Sequence, residues 1–396
     1  MNPKFGPGHF YALLSAGLLL VLVGLGSAHY MEEHGHVVTG MNNHVVWGLP
    51  HVFAIFMIVA ASGVLNVASI GSVFGQPAYK PRAPLSGLLC LAMLAGGLMV
   101  LMLDLGRPDR LIVAATHYNP TSVFAWNVLL YSGMFAIVAL YLWTMFERSM
   151  NRHSKAAGVA ALIWRFVLTT GTGLIFGFLV ARQAYGSALL APLFIVLSFA
   201  WGLAVFLIVQ SVMYAWNAQH LDPAIQRRMA RLLGVFVAAA FYLVAIYHLT
   251  NLYFARQTAF EIFILRDGGI FPLLLWGGYA VAGTALPLLL LLHPRLGGPR
   301  ATLVAAALVV TGAFAWLYVF IIGGQAFPLE IFPGYAVSSS FGDGAVTHYV
   351  PRWPEWLLGL GGIGTAFLLT TVGVRVLDFM PQDDFAALKS GAKAAP

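Results

Sequence analysis

Three residues whose side chains can hydrogen-bond and exchange protons stand at the ends of apolar runs: His51, Asp104 and Tyr185. Asp104 closes an apolar stretch that is under way at Gly97. A charged turn follows, Leu105-Gly106-Arg107-Pro108-Asp109-Arg110, and then His117-Tyr118-Asn119-Pro120-Thr121-Ser122 opens the next stretch. An acid at the lip of a membrane span costs free energy unless it is paired or wet, which makes Asp104 a candidate for a functional site. The other reading is an interfacial turn in which Asp104, Arg107, Asp109 and Arg110 pair among themselves.

The elements that must position these residues follow from composition. Of 396 residues, 60% are hydrophobic and 9% charged, and the mean hydropathy is +0.83. A soluble domain carries about 25% charged residues, so this chain belongs in lipid. Ten runs reach the roughly 20 residues a span requires: 10–28, 50–74, 85–104, 122–146, 157–180, 190–216, 230–253, 270–292, 301–322 and 356–379. They must be helices, because an open sheet edge leaves unsatisfied backbone groups in hydrocarbon. The fold class is therefore all-α, a polytopic membrane protein read as one integral-membrane domain. Two four-helix bundles are expected, 50–180 and 190–322, with flanking helices, an outward docking loop over 323–355 and a mobile tail over 382–396. The first run faintly resembles a signal peptide but is long for one, and it reads as a retained helix.

Net charge +7 could suggest a nucleic-acid binder, but the basic residues sit in short loops between apolar runs, where they report orientation instead. The N-terminus, the even loops and the C-terminal tail hold 14 of the 21 Lys and Arg, and the odd loops hold 6. Both termini are thus expected on the cytoplasmic side of a bacterial inner membrane. That orientation sets His51 (after Trp47-Gly48-Leu49-Pro50), Asp104 and Tyr185 at similar depth on three helices near the outer face. Polar groups within spans usually face a cavity or a partner, which favours a site; a collar that merely satisfies helix ends is the alternative.

Other polar groups carry weaker signals. His29, Glu32, Glu33, His34 and His36 have ligand types at helical spacing, but an acidic outward loop reads as solvated surface or partner contact. His248, beside Tyr247, reads as hydrogen-bonded packing, with a haem b ligand as the alternative. Glu261, Arg266 and Asp267 are expected to form an ion-paired turn. Arg165 is expected to snorkel to the cytoplasmic face, or to be one element of a charge path. The loop over 323–355 carries Phe327-Pro328-Leu329-Glu330-Ile331-Phe332-Pro333-Gly334-Tyr335, aromatics suited to docking a protein. One cysteine, Cys90, cannot hold an iron–sulfur cluster, and no C-x-x-C-H haem attachment exists, so redox metal centres are expected in partner chains.

Taken together, Trp47-Gly48-Leu49-Pro50-His51, the Asp104-Leu105-Gly106-Arg107-Pro108 turn, Asn119-Pro120-Thr121-Ser122 with Trp126, Phe332-Pro333-Gly334-Tyr335 and Tyr349-Val350-Pro351-Arg352-Trp353-Pro354-Glu355 resemble the NrfD/PsrC family. This is a family of integral-membrane quinone-interacting subunits of multi-subunit oxidoreductases. Within it the run Val64 to Phe74 is most similar to the DsrP branch, whose complex accompanies dissimilatory sulfite reductase. The resemblance implies a quinone (menaquinone or ubiquinone) bound near the outer face, with His51 and Asp104 beside it, Tyr185 as a third contact, and Arg107 and His117 on the same lip. It also implies a periplasmic, ferredoxin-like iron–sulfur subunit and further membrane and cytochrome subunits as partners, with the protein not catalytic alone. The family's asparagine one turn before the histidine is replaced here by Gly48, and Asn43 or Asn127 is the expected substitute. A transporter or proton-conducting subunit without a redox role, and a haem b cytochrome, are the alternative classes.

Overall fold

A computed structural model describes residues 7–377 apart from 217–218, 220, 294–296, 331, 333 and 336, so the tail expected over 382–396 lies outside the described residues. The described residues form helices joined by loops, with no strand among them, and ten of the helices are long and apolar enough to cross a membrane. They are α1 (Pro7–His34), α2 (Leu49–Val64, resuming as Asn66–Ser72), α3 (Ala83–Leu103), α4 (Val123–Phe146), α5 (Ser154–Gly177), α6 (Leu190–Trp216), α7 (Pro223–Tyr253), α8 (Ile270–Leu292), α9 (Pro299–Ala326) and α10 (Trp353–Val376). The all-α polytopic reading is correct. Two boundaries move furthest: α7 begins seven residues before 230, and α1 runs six residues past Ala28, so His29, Glu32, Glu33 and His34 ride on its last turns rather than in a loop. There His29 and Glu33 pair across one turn at 3.3 Å, both well exposed.

The fold wraps around α2. Every residue from Leu49 to Val64 is buried except His51, and α2 packs against α3, α5, α6, α9 and α10. Helices α2 to α5 pack as successive neighbours, as do α6 to α9, and the two groups meet where α2 crosses α6. Gly63 and Gly202 form that crossing: a Cβ on Gly63 would lie 1.6 Å from the Ser198 carbonyl oxygen, and one on Gly202 would lie 2.2 Å from the Gly63 carbonyl carbon. Small residues let membrane helices approach this closely, where packing must do what the hydrophobic effect does in water.

Helix α2 is interrupted at Leu65, and the cause is an inserted hydroxyl. Ser86 of α3 donates its hydroxyl to the Val64 carbonyl (2.8 Å) and accepts from the Ala68 amide (3.2 Å), standing between two groups that an unbroken helix would bond to each other. Arg165 of α5 fills the same break. It donates to the Ser62 carbonyl (3.2 Å) and to Asn66 Oδ1 (2.7 Å), with its guanidinium over the rings of Phe166 and Phe199. Arg165 is therefore buried inside the protein instead of snorkelling, because the Ser62 carbonyl and the Asn66 side chain there offer it acceptors.

Candidate functional site

His51 lies in the first turn of α2. Gly48 caps the helix in an extended conformation and Pro50 falls in its first turn, where the missing amide hydrogen costs nothing. Asp104 ends α3, its amide bonded to Val100 O at 3.0 Å, and Gly106 with Pro108 prevents the helix from continuing. A carboxylate at the negative end of its own helix is badly placed. The compensation is across the bundle: His51 Nδ1 stands 2.7 Å from Asp104 Oδ2, with the carboxylate side chain 1% exposed and the imidazole 14%. This is a close ion-pair contact whose angles are not those of a hydrogen bond, and Asp104 Oδ1 has no donor among the described residues. Trp47 stacks on the His51 ring at 5.9 Å and faces Phe124 at 6.4 Å, so the imidazole edge borders an aromatic wall.

Three distant elements hold the segment that enters α2. Gln325, at the end of α9, accepts from the amides of Val46 (3.1 Å) and Trp47 (3.0 Å) and donates to the Trp47 carbonyl (2.9 Å). Arg182, after α5, donates to the carbonyls of His44 and Gln325, both at 2.8 Å, and partial burial holds its guanidinium below the usual arginine range. Glu355, fully buried in the first turn of α10, accepts from the amides of Gly40 and Arg352 (both 2.8 Å) and from the Tyr349 hydroxyl. That hydroxyl in turn accepts from the Leu49 amide at 2.7 Å, and burial together with the Glu355 charge raises the Tyr349 phenol well above its ordinary range. The same packing explains Gly48: a Cβ there would meet Glu355 Oε1 at 2.5 Å and the Tyr349 hydroxyl at 2.8 Å, leaving no room for an asparagine. Of the expected substitutes, Asn43 is exposed, while Asn127 is buried on α4 with Oδ1 unpartnered.

Gln325 and the role of Glu355 escape sequence reasoning, because the main-chain groups of the α2 entry that they hold, Val46, Trp47 and Gly40, lie hundreds of residues away. The remaining site candidates are placed apart from the His51–Asp104 pair. Tyr185 is wholly buried, but its hydroxyl donates to the carbonyls of Phe320 (3.0 Å) and Ile321 (3.1 Å), which a π-helical turn of α9 leaves available. Burial raises its phenol above the ordinary range, and the Arg182 charge opposes that. Phe176 and Trp47 connect its ring to His51 through successive ring contacts of 5.3, 5.7 and 5.9 Å. Arg107 is exposed and pairs with Asp109 at 3.0 Å; the hydrogen bond raises the guanidinium and lowers the carboxyl. His117 is exposed, and its ring contacts the hydroxyl of its neighbour Thr116 at 3.0 Å.

A second imidazole–carboxylate pair occupies the α6–α9 group. His248 Nδ1 lies 2.7 Å from Glu261 Oε2, and Asn251 donates to the other oxygen at 2.8 Å. Glu261, expected to pair with Arg266, is instead completely buried, and Arg266 pairs with Asp267 at 2.7 Å. The correction follows from the short helix Ala255–Ile262, which turns Glu261 inward and leaves the next residues outside.

With this geometry in place, likeness to known proteins becomes informative. The family described as polysulphide reductase, NrfD, matches residues 37–329, a stretch that includes the α2 entry, the His51–Asp104 pair and Gln325. The Hdr-like menaquinol oxidoreductase integral membrane subunit of Archaeoglobus fulgidus is 29% identical over 371 residues, covering 92% of this protein and 93% of its own length. A putative dimethyl sulfoxide reductase membrane subunit of Halobacterium salinarum is 29% identical, covering 91% and 89%. A polysulfide reductase chain of Wolinella succinogenes is 23% identical, covering 72% of this protein and 96% of its own length. With ten candidate spans among its described residues and one family matched over most of its length, site included, the chain belongs to the NrfD family of membrane proteins.

Proposed function

We propose that this protein is the quinone-reactive membrane subunit of a multi-subunit oxidoreductase, exchanging electrons between the membrane quinone pool and an iron–sulfur partner at the outer face. The contact of His51 Nδ1 with Asp104 Oδ2 at 2.7 Å carries the reading. It is supported by relatives named as a menaquinol oxidoreductase membrane subunit and a polysulfide reductase chain. A quinone, when bound, supplies two-electron, two-proton chemistry at two carbonyl oxygens. The donor set fits that group: an imidazole at a lip, a carboxylate behind it, and the Trp47 and Phe124 rings as a surface for a planar ligand.

With Asp104 Oδ2 2.7 Å from Nδ1, Nε2 is the ring nitrogen left to meet a ligand. His51 can donate from that nitrogen to a ligand oxygen, and Asp104 lies against the other nitrogen of the ring, orienting it. Asp104 Oδ1, unpartnered, is the position from which a proton relay to the outer turn can reload the pair. Tyr185 contributes indirectly, by fixing Phe176 against Trp47. Arg107 and His117, on the exposed turn, suit partner docking better than ligand contact, as do Tyr335 and Phe341 of the 327–352 loop. The finer assignment is a bacterial inner membrane with both termini cytoplasmic and a DsrP-like place in sulfur metabolism; it rests on the charge bias and the Val64–Phe74 run.

The test is quinol-dependent electron transfer by the assembled complex carrying Asp104→Asn or His51→Ala. Loss of a positioned acid–base group predicts a fall of about 100-fold or more with assembly intact. Unchanged turnover in both variants overturns the assignment. One observation favours a second reading, a proton or ion conductor: the break in α2 with Arg165 buried in it. Flux across vesicles by the protein alone, abolished by Arg165→Gln, would support that reading instead.

A further inference from the structure

A cavity of about 470 Å³ lies between the α1–α10 pair and the core helices α2, α3, α6 and α9. Its lining on α6 runs from Val205 to Trp216 and on α10 from Ile363 to Arg375. At 1.5 Å per residue, the slot is roughly 16–18 Å deep. That is about half of a ~30 Å hydrocarbon core, the reach of one leaflet. The deep end, closed by Phe56 and Phe314, is carbon. Polar groups gather at the other end, where the last turns of α6 and α10 bring Trp216, Thr370, Thr371 and Arg375. Arg375 is exposed, stands over the Phe10 ring at 5.9 Å, and pairs with no carboxylate among the described residues.

We propose that this slot binds one anionic glycerophospholipid, an acyl chain along the apolar walls and the phosphate at Arg375. Depth and charge both select this occupant. A single-leaflet acyl chain spans the slot, whereas His51, in the first turn of α2 and five residues before Phe56, is not among its lining residues, and Phe56 packs onto Trp201 and Phe314. A lone guanidinium at the mouth matches a phosphodiester and gives a quinone carbonyl no counterpart to the imidazole–carboxylate pair. The face is also the one rich in Lys and Arg, where anionic headgroups accumulate. Left unfilled, the slot would be a void between α1–α10 and the core; the lipid completes that packing.

The full-length protein, purified in mild detergent and washed with an equimolar mixture of phosphatidylglycerol and phosphatidylcholine, is extracted and its retained lipid quantified by mass spectrometry. About one phosphatidylglycerol per protein is expected. Arg375→Gln should lower the preference for phosphatidylglycerol about tenfold, the worth of one charge-assisted contact. Arg375→Lys should keep it, and Ala366→Trp, which fills the slot, should abolish retention of both lipids. Retention of quinone in place of phospholipid, no retained phospholipid, or an undiminished preference in Arg375→Gln overturns the proposal. Should Ala366→Trp fail to fold, the Arg375 pair decides alone.

Discussion

The carboxamide of Gln325 grips the main chain of Trp47 on both of its polar groups, accepting from the amide and donating to the carbonyl across 278 residues of sequence. Trp47 stacks on His51, so Gln325 is a positioning residue for the imidazole. Gln325→Ala leaves the Val46 and Trp47 amides without their acceptor, a cost of roughly 2–4 kcal/mol for two partly buried donors. Thermal unfolding should register that loss. Quinol-dependent activity should fall further than in an equally destabilised variant far from α2, and Gln325→Glu, which keeps the acceptor oxygen, should recover part of it. Equal activity loss in both kinds of variant would reduce Gln325 to a stability role.

The α2–α6 crossing tolerates no side chain. Gly63→Ala places a methyl 1.6 Å from a carbonyl oxygen, and backbone on both sides prevents relief by a rotamer change. Overpacking usually costs about 1–3 kcal/mol, and a backbone-to-backbone clash belongs at or above the top of that range. The expected outcome is loss of monodisperse protein on size-exclusion chromatography for Gly63→Ala. Gly26→Ala, at a position where nothing lies within 4 Å of the added methyl, should behave as wild type.

Depth is legible in this sequence and azimuth is not. Hydropathy and loop charge place His51, Asp104 and Tyr185 at one level, and two of the three meet. Tyr185 does not join them because its hydroxyl finds carbonyls loosened by the π-helical turn in α9, a feature with no local sequence signal. Arg165 reads as a snorkelling residue because its acceptors exist only once Ser86 has broken α2. Glu261 reads as part of a charged turn because Arg266 and Asp267 follow it, yet a short helix rotates it inward to His248.

That second pair yields its own prediction. Glu261 is fully buried with both oxygens engaged, so removing one partner leaves a charge or an acceptor stranded. His248→Ala should cost about 3–5 kcal/mol, the usual penalty for breaking a buried pair from one side. The double replacement His248→Leu with Glu261→Leu should cost less than the two single losses combined. His248 Nε2 has no partner among the described residues, and the cavity His248 lines is only about 10 Å³, too small for a macrocycle. Absorption spectra of the purified protein should therefore be the same with and without His248. A Soret band lost on substitution would restore the haem b alternative.

The interruption of α2 separates a structural from a conducting role for Arg165. Ser86→Ala removes the hydroxyl that bridges the Val64 carbonyl and the Ala68 amide, two groups at the spacing an α-helix bonds directly. If the break is imposed by Ser86 alone, the helix closes, and the cost stays near the ~1 kcal/mol of one ordinary hydrogen bond. Closure would also return the Ser62 carbonyl to the helix ladder and swing the Asn66 side chain with the re-formed turn, weakening both of Arg165's hydrogen bonds and leaving a buried cation supported mainly by the Phe166 and Phe199 rings. That outcome is far more costly than one hydrogen bond. The expected result is therefore non-additive: Ser86→Ala should destabilise strongly in the presence of Arg165 and weakly beside Arg165→Met, as read from thermal unfolding of the two single variants and the double. Additive losses would show that Arg165 keeps its partners when Ser86 is gone, and that the break belongs to α2 itself.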